Sequence, residues 1–208
     1  MNLQNLNHQL FKLLFVTTIK IVIAGLIIGY YHMHDTILAI LIATYILWTF
    51  YKELVKKSRK NWLLISGMLL TGILGILAEK WGVHNQYWEY HELSNNRQLP
   101  HWLIFAWMYA FKIIYDLERK IVLIYSINSL LKKVVIAISI TAFFPAFGEV
   151  ITIQMGVWTY YWPFQILGVP LYAILCLVIL HMFVNWVLFL CANKMKIEND
   201  LFNPKKSL

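Results

Sequence analysis

Apolar runs, each close to the length of one membrane crossing, recur along this chain at about 13–31, 35–51, 62–79, 101–117, 134–153 and 168–191. A spanning helix needs roughly 17–25 mostly apolar residues. Within lipid, an open chain can satisfy its backbone N–H and C=O groups only by coiling into helices. The spacing therefore predicts an all-α fold, a polytopic transmembrane helix bundle of six spans forming a single domain. The make-up of the chain agrees. Of 208 residues, 60% are hydrophobic and 13% charged, where a soluble domain carries about 25% charged. A cytosolic enzyme, a disordered tail and a secreted disulfide scaffold are excluded together.

The formal charge of +8 is gathered at the ends of apolar runs. Lys52, Lys56, Lys57, Arg59 and Lys60 form one cluster. Arg119, Lys120, Lys132 and Lys133 form a second, and Lys194, Lys196, Lys205 and Lys206 a third. None is interleaved with stacking aromatics along a polar groove, so no nucleic-acid partner is expected. Basic loops mark the cytoplasmic side. That rule predicts an integral protein of a bacterial inner membrane with both termini cytoplasmic. The apolar stretch Ile121–Leu131 is too short to span and reads as an interfacial or connecting helix. Cys176 and Cys191 share the last run, about 22 Å apart on a straight helix. A disulfide needs Cα atoms within about 7 Å, so the pair implies no oxidative framework.

Two loops on the opposite side repeat one another. Glu79 is followed by Trp88, Tyr90, Pro100 and Trp102, and Glu149 by Trp158, Tyr160, Pro170 and Tyr172, at the same offsets. The shared pattern is E-x8-W-x-Y-x9-P-x-[WY], displaced by 70 residues. That displacement carries two spans, so the copies (about 62–131 and 132–201) have one membrane orientation and form a parallel repeat. Spans three–four and five–six become equivalent hairpins. Spans one–two read as a third, degenerate hairpin about the same axis.

Repeats direct attention to their interface. Glu149 lies about 24 Å along a helix from Lys133, which puts both glutamates near the non-cytoplasmic edge of the hydrocarbon. Such carboxylates need a partner or a water-filled cavity. They read either as an acid/base pair flanking one cavity or as loop caps bonded to tryptophan N–H and tyrosine hydroxyl groups. His181 lies near mid-bilayer with Asn185 one helical turn on and Trp186 adjoining. Polar groups at that depth serve a site or an interhelical hydrogen bond. The candidate catalytic residues are thus Glu79, Glu149 and His181. The candidate substrate-binding residues are Asn185, Trp88, Tyr90, Trp158, Tyr160 and Trp186, although the aromatics equally suit a headgroup belt. No HxxxH or HxxHH box occurs, which excludes the di-iron desaturase pattern. His84, His91 and Glu89 offer only a weak zinc set, and no metal and no cofactor are expected.

Glu79, Gly82, Tyr90, Pro100 and Trp107, with Glu149 and Gly168-Val169-Pro170-Leu171, resemble the integral-membrane carotenoid-biosynthesis proteins, which include carotenoid hydratases. The likeness covers about half the chain. Gly168-Val169-Pro170-Leu171-Tyr172 and Asn185-Trp186 also look similar to the last helices of the sterol isomerase (emopamil-binding) family. That family's His–Glu helix has no recognisable counterpart here. Both resemblances imply protonation of an alkene, followed by hydration or isomerisation, in an apolar isoprenoid. The expected partners are membrane lipid and an apolar lipid ligand. The alternative from another class is a non-catalytic small-solute transporter or a membrane accessory or scaffold protein.

Overall fold

The computed structural model describes residues 3–58, 60–93 and 97–202. Arg59, Lys205 and Lys206 of the basic clusters lie outside them. The chain is helical throughout its apolar runs: α1 Leu3–Tyr31, α2 Asp35–Tyr51, α3 Trp62–His84, α4 Leu103–Ile124, α5 Leu130–Gln154 and α6 Leu171–Lys194. Short extended pieces connect them: β1 Trp88–Tyr90, β2 Trp158–Tyr160, β3 Gln165–Ile166 and β4 Val169–Pro170. Three clusters of apolar side chains pack within the bundle, while many others face outward. Leu69, Ile73 and Leu77 on α3 and Leu175 and Ile179 on α6 are exposed, as lipid-facing side chains are.

The count of separate spans differs from expectation. Four segments are long and apolar enough to cross a membrane: Gln4–Lys56, Trp62–His84, Leu130–Gln154 and Leu171–Lys194. The first, of 53 residues, contains both α1 and α2, joined through a tight turn at His32–His34 without a polar loop. The expected fourth span is not among them. Its helix, α4, already carries Lys112 and Asp116 and continues past residue 117 to take in Glu118, Arg119 and Lys120. The helix absorbs these charges by pairing. Lys112 meets Asp116 at 2.7 Å, and Arg119 meets Asp200 at 2.6 Å in the segment after α6. The supposed connecting helix over Ile121–Leu131 also dissolves, because its first four residues finish α4 and its last two begin α5.

α1 and α2 run antiparallel. Near its start α1 has Asn7 3.5 Å from the Tyr125 hydroxyl, and near its end Gly29 faces Met155. α2 begins at Asp35, which binds the segment just before α4, and its wide final turn hands Glu53 O to the Asn61 N–H. Asn61 then caps α3 through its side-chain oxygen on the Leu64 N–H, a standard use of asparagine.

Helix endings recur at one fixed displacement. The Tyr87, Val157, Ile127 and Ile197 N–H groups each reach back five residues, to Gly82, Thr152, Val122 and Ala192. The residues just before them, Gln86, Gly156, Ser126 and Lys196, all take positive φ. This is the Schellman closure. It occurs at 86 and 156, and again at 126 and 196, 70 residues apart each time. β1 and β2 form an antiparallel ribbon with Trp88 opposite Tyr160, Glu89 opposite Thr159 and Tyr90 opposite Trp158. Equivalent residues Glu89 and Thr159 face each other at its centre, so the α3–α4 and α5–α6 loops meet about a local two-fold. A two-fold has no place for a third hairpin. α1 and α2 accordingly pack to one side, against α5 and α4, and not as a third member about the axis.

Candidate functional site

The two glutamates hang their own loops. The Tyr90 hydroxyl donates to Glu79 at 2.9 Å, and the Tyr160 hydroxyl donates to Glu149 at 3.1 Å. Each tyrosine lies eleven residues after its glutamate. The Schellman turn reverses the chain, and the ribbon then runs back over the helix end. The rings close the assembly symmetrically. Trp88 meets Tyr160 with centroids 5.5 Å apart, and Trp158 meets Tyr90 at 5.6 Å. Withdrawal from water, and then the neighbouring glutamates, push both phenols well above their ordinary value. A desolvated phenol beside a carboxylate resists becoming a second anion.

The symmetry fails in the donors that reach each carboxylate. Glu79 also accepts from Trp88 Nε1 at 2.9 Å and Trp107 Nε1 at 3.2 Å, so both its oxygens are engaged. Trp88 gets there by lying flat on Gly82. A Cβ at that position would stand 1.8 Å from the indole ring. Seventy residues on, Gly82 becomes Thr152, whose side chain occupies the corresponding helix face. Trp107 likewise becomes Leu177, which has nothing to donate. Among the described residues, Glu149 is therefore left with the Tyr160 hydroxyl.

Both carboxyl groups line one cavity of about 470 Å³, within the roughly 300–1,000 Å³ of ordinary ligand pockets. Its walls are apolar: Ile21, Ala24 and Ile28 of α1, Leu103, Ala106 and Ile113 of α4, and Phe144 and Pro145 of α5. Tyr90, Trp102, Trp158 and Tyr160 join Glu79 and Glu149 at its ribbon end. Ile23, Ile27 and Leu41 line it too, yet each is 40% exposed or more. The cavity thus opens sideways between α1 and α2, through apolar residues.

Of the residues singled out from sequence, Glu79, Glu149, Tyr90, Trp158 and Tyr160 are brought together on this cavity. Trp88 stands behind it as a donor to Glu79. His181, Asn185 and Trp186 are elsewhere. Trp186 is 55% exposed on α6 and packs with Phe183. His181 and Asn185 are buried between α6 and α4, where His181 Nε2 lies 2.7 Å from Glu118 Oε1 and Asn185 Nδ2 lies 3.4 Å from Glu118 Oε2. Glu118 escapes sequence reasoning because it sits among charges that read as a loop. Trp107 appears there only within a family likeness. Asp35 is a further buried carboxylate, held by Arg97 and by the His101 N–H at 2.7 Å. His84, His91 and Glu89 do not converge on a zinc site. His91 bonds the Thr159 hydroxyl at 2.8 Å and Glu89 bonds Tyr161, and among the described residues no three metal-ligating side chains come together.

Fold and site define a helical protein of integral-membrane character with a carboxylate-bearing apolar cavity. No protein-family model, no curated protein and no solved structure matches this chain.

Proposed function

We propose that this protein binds an apolar, isoprenoid-type lipid in the α1–α2–α4–α5 cavity and carries out acid/base chemistry on a double bond. The observation that carries the reading is that Glu79 and Glu149 line one cavity otherwise walled by apolar and aromatic side chains. Glu149 has an oxygen free of protein donors and is the carboxyl able to present a proton. Glu79, with both oxygens accepting, is the fixed partner. Transfer of the Glu149 proton to one alkene carbon leaves a cation on the other, faced by the rings of Trp102, Trp158 and Tyr160. Addition of water and return of its proton to Glu149 gives the alcohol. Loss of a proton from the adjacent carbon to the Glu149 carboxylate instead moves the double bond and restores the acid. The sideways opening lets a lipid arrive from the bilayer. In this reading the ribbon end is non-cytoplasmic, both termini are cytoplasmic, and the two loop-bearing hairpins are copies of one ancestral unit in a bacterial inner membrane.

Lipid extracts of cells expressing wild type, Glu79→Gln and Glu149→Gln, compared by mass spectrometry, test the proposal. An isoprenoid species should change with the wild type and revert with Glu149→Gln. Identical extracts from all three, with no lipid co-purifying, would overturn it. The three donors on Glu79 support a second reading, in which the glutamates only anchor the ribbon of a transporter or scaffold. That reading requires Glu79→Gln to loosen the loops without altering any lipid.

A further inference from the structure

The polar end of the cavity has an unbalanced set of donors and acceptors, and the imbalance specifies a functional group. The Tyr90 and Tyr160 hydroxyl protons are committed to the glutamates. The Thr152 hydroxyl is committed to backbone carbonyls of its own helix. Two indole N–H groups on the cavity lining, Trp158 Nε1 and Trp102 Nε1, have no hydrogen-bond partner among the described residues, and Trp102 is the more enclosed of the two at 2% exposed. An indole N–H can only donate. Buried N–H groups are paired in the great majority of proteins, so that of Trp102 awaits an acceptor. Glu149 supplies the complement: its carboxyl group keeps acceptor capacity whether or not it carries its proton, and among the described residues only the Tyr160 hydroxyl bonds it.

We infer that the cavity takes an apolar molecule bearing a hydroxyl group, its oxygen accepting from Trp102 Nε1 and its proton directed to Glu149. Other simple head groups answer only half of the requirement. A ketone or ether accepts without donating, and an ammonium donates without accepting. A carboxylate likewise accepts without a proton to offer Glu149. A hydrocarbon does neither and would leave the indole N–H desolvated and unpaired. The inference rests on the reading of this cavity as a lipid site and deepens it, since an alcohol is what hydration of an alkene yields.

Native mass spectrometry of the full chain in detergent, titrated with geranylgeraniol, its methyl ether and the hydrocarbon of the same length, tests the inference. Wild type should bind the alcohol most tightly, the ether less and the hydrocarbon least, with about tenfold or more between the extremes. Trp102→Phe removes the N–H and keeps the ring. It should weaken alcohol and ether by about tenfold and leave the hydrocarbon unchanged, which also shows that the variant is folded. Equal binding of alcohol and hydrocarbon by wild type would overturn the inference, water then filling the polar end, while the cavity remained a lipid site. Binding of none of the three would overturn the lipid-site reading and this inference with it. Should Trp102→Phe not fold, the wild-type series alone decides.

Discussion

Gly82→Ala tests the local architecture at its tightest point. The added Cβ would stand 1.8, 2.1 and 2.3 Å from three ring atoms of Trp88, far inside contact distance, so the indole must leave the helix face. Two losses follow. Overpacking a closed site costs about 1–3 kcal/mol. The Trp88 Nε1 bond to Glu79, 2.9 Å long, goes with the ring, and a hydrogen bond to a charged group is worth about 1.5–3 kcal/mol. The two overlap, so the net expectation is a loss of roughly 3–4 kcal/mol, offset by about 1 kcal/mol for the better helix propensity of alanine. Reversible unfolding in mixed micelles gives the stability of the variant. The informative measurement is a double-mutant cycle with Trp88→Ala. With the indole gone the nearest obstruction to the Cβ is gone, and Gly82→Ala should become neutral or slightly stabilising. The coupling between the two sites is then at least about 2 kcal/mol, well above what independent sites show. An equal cost in both backgrounds would refute the packing argument, and with it the account of why the two glutamates differ.

Two further outcomes are expected. His181→Ala should destabilise by about 3–5 kcal/mol, because it leaves Glu118 buried with only a long contact to Asn185; the joint replacement of His181 and Glu118 by leucine should cost much less, and the same micelle titration reads both. Tyr90 and Tyr160 hold their protons more tightly folded than unfolded, so their contribution is complete below about pH 10 and is lost only as the pH rises through their raised folded values. Stability should therefore stay level up to about pH 10 as far as these groups are concerned, with no phenolate absorbance from either tyrosine there; early titration of these two, identified with Tyr→Phe variants, would contradict the enclosed geometry.

What could be read in advance follows from where the information sits in the chain. The run 35–51 coincides with α2 because its limits are chemical: Asp35 opens it and Lys52 closes it. The spacing of Glu79, Trp88 and Tyr90 is legible because a helix end, a Schellman turn and a strand are all local, and local geometry repeats when residues repeat. The run 101–117 falls short of the end of α4 for the opposite reason. Its charged last turns look like a loop, yet Asp116, Glu118 and Arg119 all find partners, two of them from α6 or the segment beyond it. Partners 63 and 81 residues away leave no trace in periodicity. The same holds for Trp107, which reaches Glu79 across 28 residues. The two-fold register of the ribbon depends on which hairpins meet. A repeat says only that they are alike.

The asymmetry between the two halves is where a function can reside. Two identical hairpins about a two-fold would present two equally bonded carboxyl groups, and neither could be singled out as donor or acceptor. Here the backbone keeps the symmetry, down to the positive φ at Gln86 and Gly156, while a few side chains break it. Thr152 in place of Gly82 denies Trp158 the seat that Trp88 holds. Leu177 in place of Trp107 removes a donor. The α1–α2 pair covers the α4–α5 side alone, so that the cavity forms on one side of the axis. Restoring the symmetry is therefore a direct probe of the idea. Leu177→Trp places a potential donor on the cavity wall at the counterpart of Trp107. If it reaches Glu149, that carboxyl becomes a second occupied anchor. Any activity on a lipid should then fall with the ribbon intact, whereas a protein in which both glutamates merely anchor loops should gain stability and lose nothing.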